Sequence, residues 1–183
     1  GEQPDDLAAL TLAIGLGTAE SLDALGVAGV KLKWPNDLIV EGGKLGGILT
    51  EAQPPAGESI TVVTGVGINL DLRETLDQQV SNLTDFVDEL PERSTLAARL
   101  LDGICETFVT YEASGFAAYV GRWPDRDWLL GREVSISTPR DSLTGIGAGV
   151  AHDGALLVDT GSGTMSRVTS GTVVSAAGQG RAR

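Results

Sequence analysis

Two lysines, an amide and a carboxylate lie close together in segment 30–51 of this 183-residue sequence. Lys33, Asn36 and Asp37 are nearly consecutive, and Lys44 lies seven residues after the carboxylate. Fixed positive charge stabilises phosphate or carboxylate oxygens on which negative charge develops during a reaction. A carboxylate beside two lysines is held ionised, fit to orient an amine or to help hold Mg²⁺. The cluster therefore indicates chemistry on a charged substrate.

A strand, a proline turn and a hairpin must position these side chains. Alternating apolar residues predict a half-buried strand at 30–34, and Pro35 ends its pairing because proline has no N–H to donate. An apolar strand follows at 38–40, the positive-φ turn is predicted at Glu41–Gly43, and the return strand occupies 44–52. The carboxylate and the second lysine fall at opposite ends of this hairpin. The sequence alone leaves open whether they meet.

The segment resembles the catalytic core of biotin protein ligases. In that family Lys-Trp-Pro-Asn-Asp is followed seven residues later by a lysine and then by Gly-Ile-Leu-x-Glu. Residues 33–37, Lys44 and residues 47–51 match this signature in order and spacing. A second family element, Gly-x-Gly-x-Asn after an apolar strand, is present at 65–69. Two matched elements at family spacing make the resemblance specific.

The resemblance implies an α+β fold. It predicts a mixed-sheet catalytic domain of the biotin/lipoate protein ligase type at 1–126, truncated at its N-terminus, and an SH3-like β-barrel with a tail at 127–183. The implied activity is ATP-dependent ligation of biotin, through biotinyl-5′-AMP, to a lysine of a biotin carboxyl carrier protein domain. ATP and biotin are then substrates and Mg²⁺ a cofactor. The implied location is the cytoplasm, and a homodimer is compatible with the resemblance.

Site roles follow from the same resemblance. Lys44, Asp37 and Lys33 are the implied catalytic residues, with Asp37 also a weak magnesium ligand. Asn69 is assigned to the adenine edge, which its paired donor and acceptor suit. The implied substrate- and nucleotide-binding residues are Asn36, Lys44, Gly46, Gly47, Gly65, Gly67 and Asn69.

Several residues keep structural alternatives. By residue type alone, Lys44 reads as a solvated surface charge, an interpretation that the family match reverses. Lys33 either neutralises phosphate or pairs with Asp37 and holds the turn. Asn36 favours a local backbone role, as asparagine often has in turns. Trp34 alternates with apolar residues and is expected in the core.

One family element is missing. No Gly-Arg-Gly-Arg run precedes Lys33, whereas family members cover biotin and the adenylate phosphate with such a loop. We expect residues 1–183 to be part of a longer chain and to make the adenylate poorly by themselves. Two alternatives stay open: a catalytically incomplete fragment or paralogue that binds nucleotide or carrier protein, and a relative of lipoate or octanoate transferases.

Composition excludes other classes of function. A net charge of −12 with thirteen basic residues argues against nucleic-acid binding, which requires concentrated lysine and arginine. The apolar stretches are interrupted short of a membrane span, so no membrane is expected. Cys105 is the only cysteine, which fits a reducing compartment. The only histidine, His152, precedes Asp-Gly and is predicted to be a turn residue.

The remaining periodicities predict the other elements. An amphipathic helix that packs on a sheet is expected from Leu7 to Gly26, a second helix at 95–108 with Cys105 on or beside its buried side, and a short helix at 116–123 ended by Pro124. A buried strand is expected at 60–66. Short strands are predicted in the C-terminal part at 132–137, 144–151, 155–159, 165–169 and 172–175.

Overall fold

The chain folds into two antiparallel sheets and four α-helices among the residues described. The computed structural model describes residues 7–53, 61–72, 79–139, 141–161 and 163–176. In chain order the elements are α1 (Leu7–Ala24), β1 (Lys31–Lys33), β2 (Asp37–Val40), β3 (Gly43–Gln53), β4 (Thr61–Ile68), a 3₁₀ turn (Leu83–Asp85), α2 (Arg93–Ser114), α3 (Ala117–Val120), α4 (Trp123–Arg126), β5 (Glu133–Ser137), β6 (Ser142–Val150), β7 (Leu156–Asp159), β8 (Met165–Val168) and β9 (Thr172–Ala176). Every strand predicted from the sequence is present.

The first sheet has the order β1-β2-β3-β4, and all its ladders are antiparallel. Leu32, Leu38 and Ile48 point to the side that α1 covers, and each is buried. A Cβ added at Gly15 of α1 would lie 3.2 Å from Leu32, so the helix lies directly against the sheet. The opposite face of the sheet carries the predicted site.

Helix α1 is buried around most of its circumference, so the expectation of an amphipathic helix was wrong. Its 18 residues have a mean hydropathy of 1.2, enough for a membrane span by length and composition, but 61% of them are buried within the protein. The sheet covers one side and α2 the other. A helix between two layers needs apolar residues all round.

Small residues let α1 and α2 cross closely. A Cβ at Gly17 would lie 2.3 Å from the Thr107 hydroxyl, and a Cβ at Gly103 would lie 2.2 Å from the Ser21 hydroxyl. Both hydroxyls donate to carbonyls of their own helix, Thr107 to Gly103 at 2.8 Å and Ser21 to Gly17 at 2.9 Å. The crossing therefore depends on glycine at both contact positions.

Two expectations about the helical connection were wrong. Cys105 is exposed, because the buried stripe of α2 runs through Leu96, Leu100 and Thr107. Pro124 does not end a helix but lies in the first turn of α4, where its missing N–H has no partner to lose. Trp34 is buried, as predicted.

The C-terminal sheet has the order β8-β7-β6-β5-β9. It joins the first part through the turn that contains His152, since the Trp34 indole N–H donates to the Gly154 carbonyl at 3.0 Å. A Cβ at Gly154 would lie 2.5 Å from the backbone nitrogen of Ala9 in α1. The turn predicted at residue 152 thus contacts both α1 and the tryptophan. Closure of this sheet into a barrel and a domain boundary at 126/127 stay predictions.

Candidate active site

Four predicted site residues form one row across the first sheet. Lys33 pairs with Asp37, Asp37 with Gly47, and Gly47 with Gly67, one residue from each strand. Because directly opposed residues of neighbouring strands point to the same face, the two side chains and two glycines share the face away from α1. We call this the open face.

A β-bulge brings Lys44 to the carboxylate. The β2–β3 register shifts between Leu38 and Ile39, so Ile39 pairs with Lys44. The Lys44 ammonium then lies 2.6 Å from Asp37 Oδ1, and the two side chains are 32% and 17% exposed. The ends of the hairpin therefore do meet. A lysine two-thirds buried against a carboxylate is not the solvated surface charge that its residue type favours.

Lys33 is available for a substrate. It faces Asp37 across the ladder, yet in the described part of the chain the carboxylate forms its ion pair with Lys44. The pairing alternative for Lys33 is therefore not what the structure shows. Lys31, two residues earlier on β1, lies on the same side. All three lysines of a chain with net charge −12 thus lie on adjacent rows of one face.

The backbone of Lys44 is fixed by the segment around Ser81. Its N–H donates to the Gln79 carbonyl at 2.9 Å, and its carbonyl accepts from the Ser81 N–H at 3.0 Å. The Asn69 amide also donates to that carbonyl at 2.9 Å and, more weakly, to the Ser81 carbonyl at 3.4 Å. Asn69 therefore positions Lys44. Its side-chain oxygen accepts no hydrogen bond from any described residue, and its contact with adenine stays a prediction.

Asn36 clamps the proline turn to β3. Its side-chain amide donates to the Ile48 carbonyl at 2.8 Å, and its backbone carbonyl accepts from the Ile48 N–H at 2.9 Å. The backbone role expected of Asn36 is thus present, but toward a strand twelve residues away rather than within the turn. The clamp fixes the neighbouring Asp37.

The glycines differ in what they do. A Cβ at Gly65 would meet no atom within 4 Å, one at Gly67 would only reach the Gly47 oxygen at 4.0 Å, and one at Gly47 would lie 3.7 Å from the Lys44 ammonium. Gly65 and Gly67 leave open space for a ligand, whereas Gly47 lies within contact distance of Lys44 and of the Asn36 oxygen. Gly46 is different, because its Cβ would lie 2.2 Å from the Gly67 oxygen. Glycine is required at this position for strand packing, and the assignment of Gly46 as a binding residue stays a prediction.

Backbone conformation and packing at the hairpin turn explain why residues 42 and 43 are glycines. Glu41 and Gly42 carry the positive φ values, 48° and 83°. Gly43 was expected to share them but does not. It is instead confined by the buried Ser81, whose hydroxyl would lie 2.3 Å from a Cβ there and which donates to the Val40 carbonyl at 2.9 Å.

Two exposed apolar residues of the open face were not identified from the sequence. Leu49 is 58% exposed and Val63 is 47% exposed, and Leu49 pairs with Gly65. Alternation along β3 and β4 places both on the row side of the sheet. An apolar surface next to the ion pair suits a substrate with an aliphatic part and a charged end. Period-two alternation was the signal that could have identified them.

The described residues contain no cluster of three or more histidine, cysteine, aspartate or glutamate side chains that could hold a metal ion. Magnesium commonly binds through one or two carboxylates and substrate phosphates instead of an all-protein cage. Asp37 has one carboxylate oxygen outside its ion pair, so it fits that mode.

Comparison with known proteins identifies the class. Residues 2–69 match the model of the Biotin/lipoate A/B protein ligase family, and residues 129–174 match that of the Biotin protein ligase C terminal domain. Together the two models match more than half of the chain. The fold is that of a biotin/lipoate-type protein ligase.

Individual relatives narrow the class. The bifunctional ligase/repressor BirA of Escherichia coli (strain K12) is 35% identical over 153 residues, 82% of this chain and 48% of that protein. The biotin--[acetyl-CoA-carboxylase] ligase of Mycobacterium tuberculosis is 32% identical over 170 residues, 90% of this chain and 61% of that protein. The biotin protein ligase from Aquifex aeolicus in complex with biotin and ATP superposes with a TM-score of 0.77 at 25% identity, over 91% of this chain and 70% of that one. The chain belongs to the biotin protein ligase family, and it spans about half the length of the BirA proteins that it matches.

Proposed function

We propose that the protein containing this chain joins biotin to a lysine of a biotin carboxyl carrier domain, with ATP as the source of energy. The observation that carries this proposal is the Lys44–Asp37 ion pair at 2.6 Å, which lies on a face that also carries Lys33, glycines and the exposed apolar residues Leu49 and Val63. A carboxylic acid with an aliphatic chain fits that combination. The family relatives named as biotin ligases support the choice of biotin.

In the first step a biotin carboxylate oxygen attacks the α-phosphorus of ATP, and pyrophosphate leaves. Negative charge develops on the α-phosphate oxygens, and Lys44 stabilises this charge together with that of the acyl oxygens. Lys33 supplies further charge from the neighbouring strand. Because Gly65 and Gly67 have no side chains, the nucleotide can approach the backbone of β4 closely.

In the second step the amine of the acceptor lysine attacks the acyl carbon, and AMP leaves. Asp37 orients the incoming amine and takes the proton that the nitrogen releases as its bond to the acyl carbon forms. Holding the amine beside the mixed anhydride makes this step effectively unimolecular. Lys44 is thus shared by both steps.

Finer assignments complete the proposal. Asp37 would hold Mg²⁺ with the phosphates of ATP, where the ion would offset phosphate charge. We place the protein in the cytoplasm, consistent with a single, unpaired cysteine. Within the described residues β4 is an edge strand of the first sheet, and the backbone groups of an edge strand can pair with another chain, which supports a homodimer.

The test is transfer of labelled biotin. The intact protein that contains these residues is incubated with ATP, Mg²⁺ and an unmodified carrier domain, alongside its Lys44→Ala variant. Label on the carrier lysine that depends on Lys44 supports the proposal. Label from lipoate but not from biotin, or no label at all, refutes it.

A further inference from the structure

Glu51, the last residue of the Gly-Ile-Leu-x-Glu motif, has no role in the proposed mechanism. The β3–β4 ladder continues without a register shift from Gly46 to Gln53, so the side chains of β3 alternate strictly between the two faces of the sheet. Because Gly47 lies on the open face, Leu49 and Glu51 lie there too. The exposed side chain of Glu51 thus belongs to the same surface as the Lys44–Asp37 ion pair.

The Glu51 carboxylate is free to accept hydrogen bonds from a ligand. It forms no ion pair with any residue that the structure describes, whereas the Asp37 carboxylate is paired with Lys44. Its cross-strand neighbour is Val63, an apolar residue that is 47% exposed. An ionised carboxylate only accepts hydrogen bonds. Glu51 therefore favours ligand groups that donate them.

The open face along β3 carries opposite charges at its two ends. Lys44 lies at one end, because a Cβ added at Gly47 would lie 3.7 Å from its ammonium. Glu51 follows Gly47 by four residues, a distance of about 14 Å between Cα atoms at about 3.4 Å per residue. Leu49 and its partner Gly65 lie between them. A ligand that spans this stretch needs an acid at one end, an aliphatic middle and N–H donors at the other end.

Biotin has its groups in this order. Its carboxylate ends a valeryl chain, and the ring system at the other end of the chain carries a cyclic urea whose N–H groups are donors. With the carboxylate at Lys44 and the chain over Leu49 and Gly65, the urea is directed toward Glu51. Hydrogen bonds to an ionised acceptor are roughly twice as strong as those between neutral groups. Lipoate and octanoate share the carboxylate and the aliphatic chain but have no N–H donor.

We propose that Glu51 determines specificity, its carboxylate accepting a hydrogen bond from the N–H groups of the biotin urea. This inference rests on the proposed function and deepens it, because it assigns the end of the site that distinguishes biotin from other aliphatic acids. An acid without N–H donors would displace water from the carboxylate without replacing the lost hydrogen bonds, which costs free energy. Glu51 therefore favours biotin and disfavours lipoate.

Titration calorimetry of the intact protein with biotin and, separately, with ATP tests the role of Glu51. Glu51→Ala should raise the Kd for biotin at least about tenfold, a usual cost of deleting a hydrogen bond to a charged group, and should leave the Kd for ATP within about twofold of the parent value. Glu51→Gln keeps an acceptor oxygen and should recover part of the loss. Glu112→Ala removes an exposed acid on α2 and is the matched control, which should bind biotin like the parent. Circular dichroism confirms that every variant is folded.

Octanoate separates recognition of the urea from a general effect on the open face. Its inhibition constant against biotin in adenylate formation should stay within about twofold of the parent value in Glu51→Ala, or fall, since octanoate gains nothing from the carboxylate. The inference is overturned if Glu51→Ala binds biotin as tightly as Glu112→Ala does, or if biotin and octanoate lose affinity equally. In either case Lys44-dependent transfer of biotin by the parent protein shows that the proposed function stands without it. A parent protein that transfers no biotin refutes the proposed function and this inference together.

Discussion

Lys44 is the side chain on which the proposed chemistry depends most. Its ammonium is held by Asp37, and its backbone is fixed by Ser81 and Asn69. A charge held in advance of the reaction stabilises the transition state without reorganising. The position of the charge, more than its presence, is what the surrounding residues provide.

Replacing Lys44 by alanine in the intact protein should lower the rate of adenylate formation about 10²- to 10³-fold, the usual cost of losing one preorganised partner. The fold should persist, because the side chain is one-third exposed. Release of pyrophosphate measures the rate, and Arg99→Ala on α2 is the control for loss of a positive charge. A rate within threefold of the parent would contradict the role of Lys44.

Asn69→Ala should weaken ATP binding more than biotin binding, by about 1–3 kcal/mol, the cost of losing a buried hydrogen-bond pair. The Asn69 side-chain amide also donates to the Lys44 carbonyl at 2.9 Å, so the alanine variant removes this hydrogen bond as well. Asn69→Asp is the informative partner, since it keeps an acceptor oxygen but removes both donors. Calorimetry with each ligand decides, and unchanged ATP affinity in both variants would refute the adenine assignment.

At the scale of elements, the crossing of α1 and α2 sets the position of the helical layer. Gly17→Ala should destabilise the chain by about 1–3 kcal/mol, as overpacking does, although alanine is the better helix former. The added Cβ would lie 2.3 Å from the Thr107 hydroxyl and 3.2 Å from the Gly103 carbonyl. Urea unfolding measures the change.

Gly121→Ala is the control for that substitution. Gly121 has φ −68°, and a Cβ there meets nothing within 4 Å. It should leave the free energy of unfolding unchanged or slightly higher. Equal stability of the two variants would show that the helices separate without cost.

The elements show what sequence can and cannot predict. Alternation of apolar residues predicted the strand at 30–34, apolar runs predicted those at 38–40 and 60–66, and regularly spaced turn residues predicted the C-terminal strands. Helical spacing of apolar residues predicted α1 but not the burial of its far side, which is covered by α2, a helix that begins 69 residues after α1 ends. The predicted burial of Cys105 was wrong for the same reason, since the rotation of α2 about its axis is fixed by the contact of Gly103 with α1.

The candidate site was predictable only as a set of residue types. The Lys-Trp-Pro-Asn-Asp motif named Lys33 and Asp37, but the β-bulge between Leu38 and Ile39 decides that Lys44 reaches the carboxylate. No local pattern encodes that register shift. Leu49 was missed because a single exposed leucine carries no signal until the face it belongs to is known.

At the scale of the whole molecule, segment 123–130 ties the two sheets together. Asp127 bridges to Leu32 of β1, and its carboxylate accepts from the Trp123 indole and the Leu129 N–H. Leu130, three residues later, bridges to Gly147 of β6. A buried carboxylate thus lies at the junction between the active site and the C-terminal sheet.

Burial raises the pKa of the Asp127 carboxyl above its ordinary value, although the N–H of Leu129, the Trp123 indole, the N–H of Leu130 and the charge of Lys31 oppose the rise. The folded state therefore holds the proton more tightly than the unfolded state does. Between the unfolded pKa, about 3.9, and the raised folded pKa, the contribution of Asp127 to the free energy of unfolding increases as pH falls. This sign is opposite to that of a carboxylate stabilised by an ion pair.

Asp127→Asn isolates this contribution, because the variant has no charge to titrate and its altered hydrogen bond to Trp123 is independent of pH. The stability of the parent relative to Asp127→Asn should therefore rise as pH is lowered from 7 toward 4, and should level off below the unfolded pKa. Urea unfolding of both chains at matched pH values measures the difference. A parent that loses stability relative to Asp127→Asn on acidification would show that hydrogen bonds and Lys31, not burial, dominate at this carboxyl.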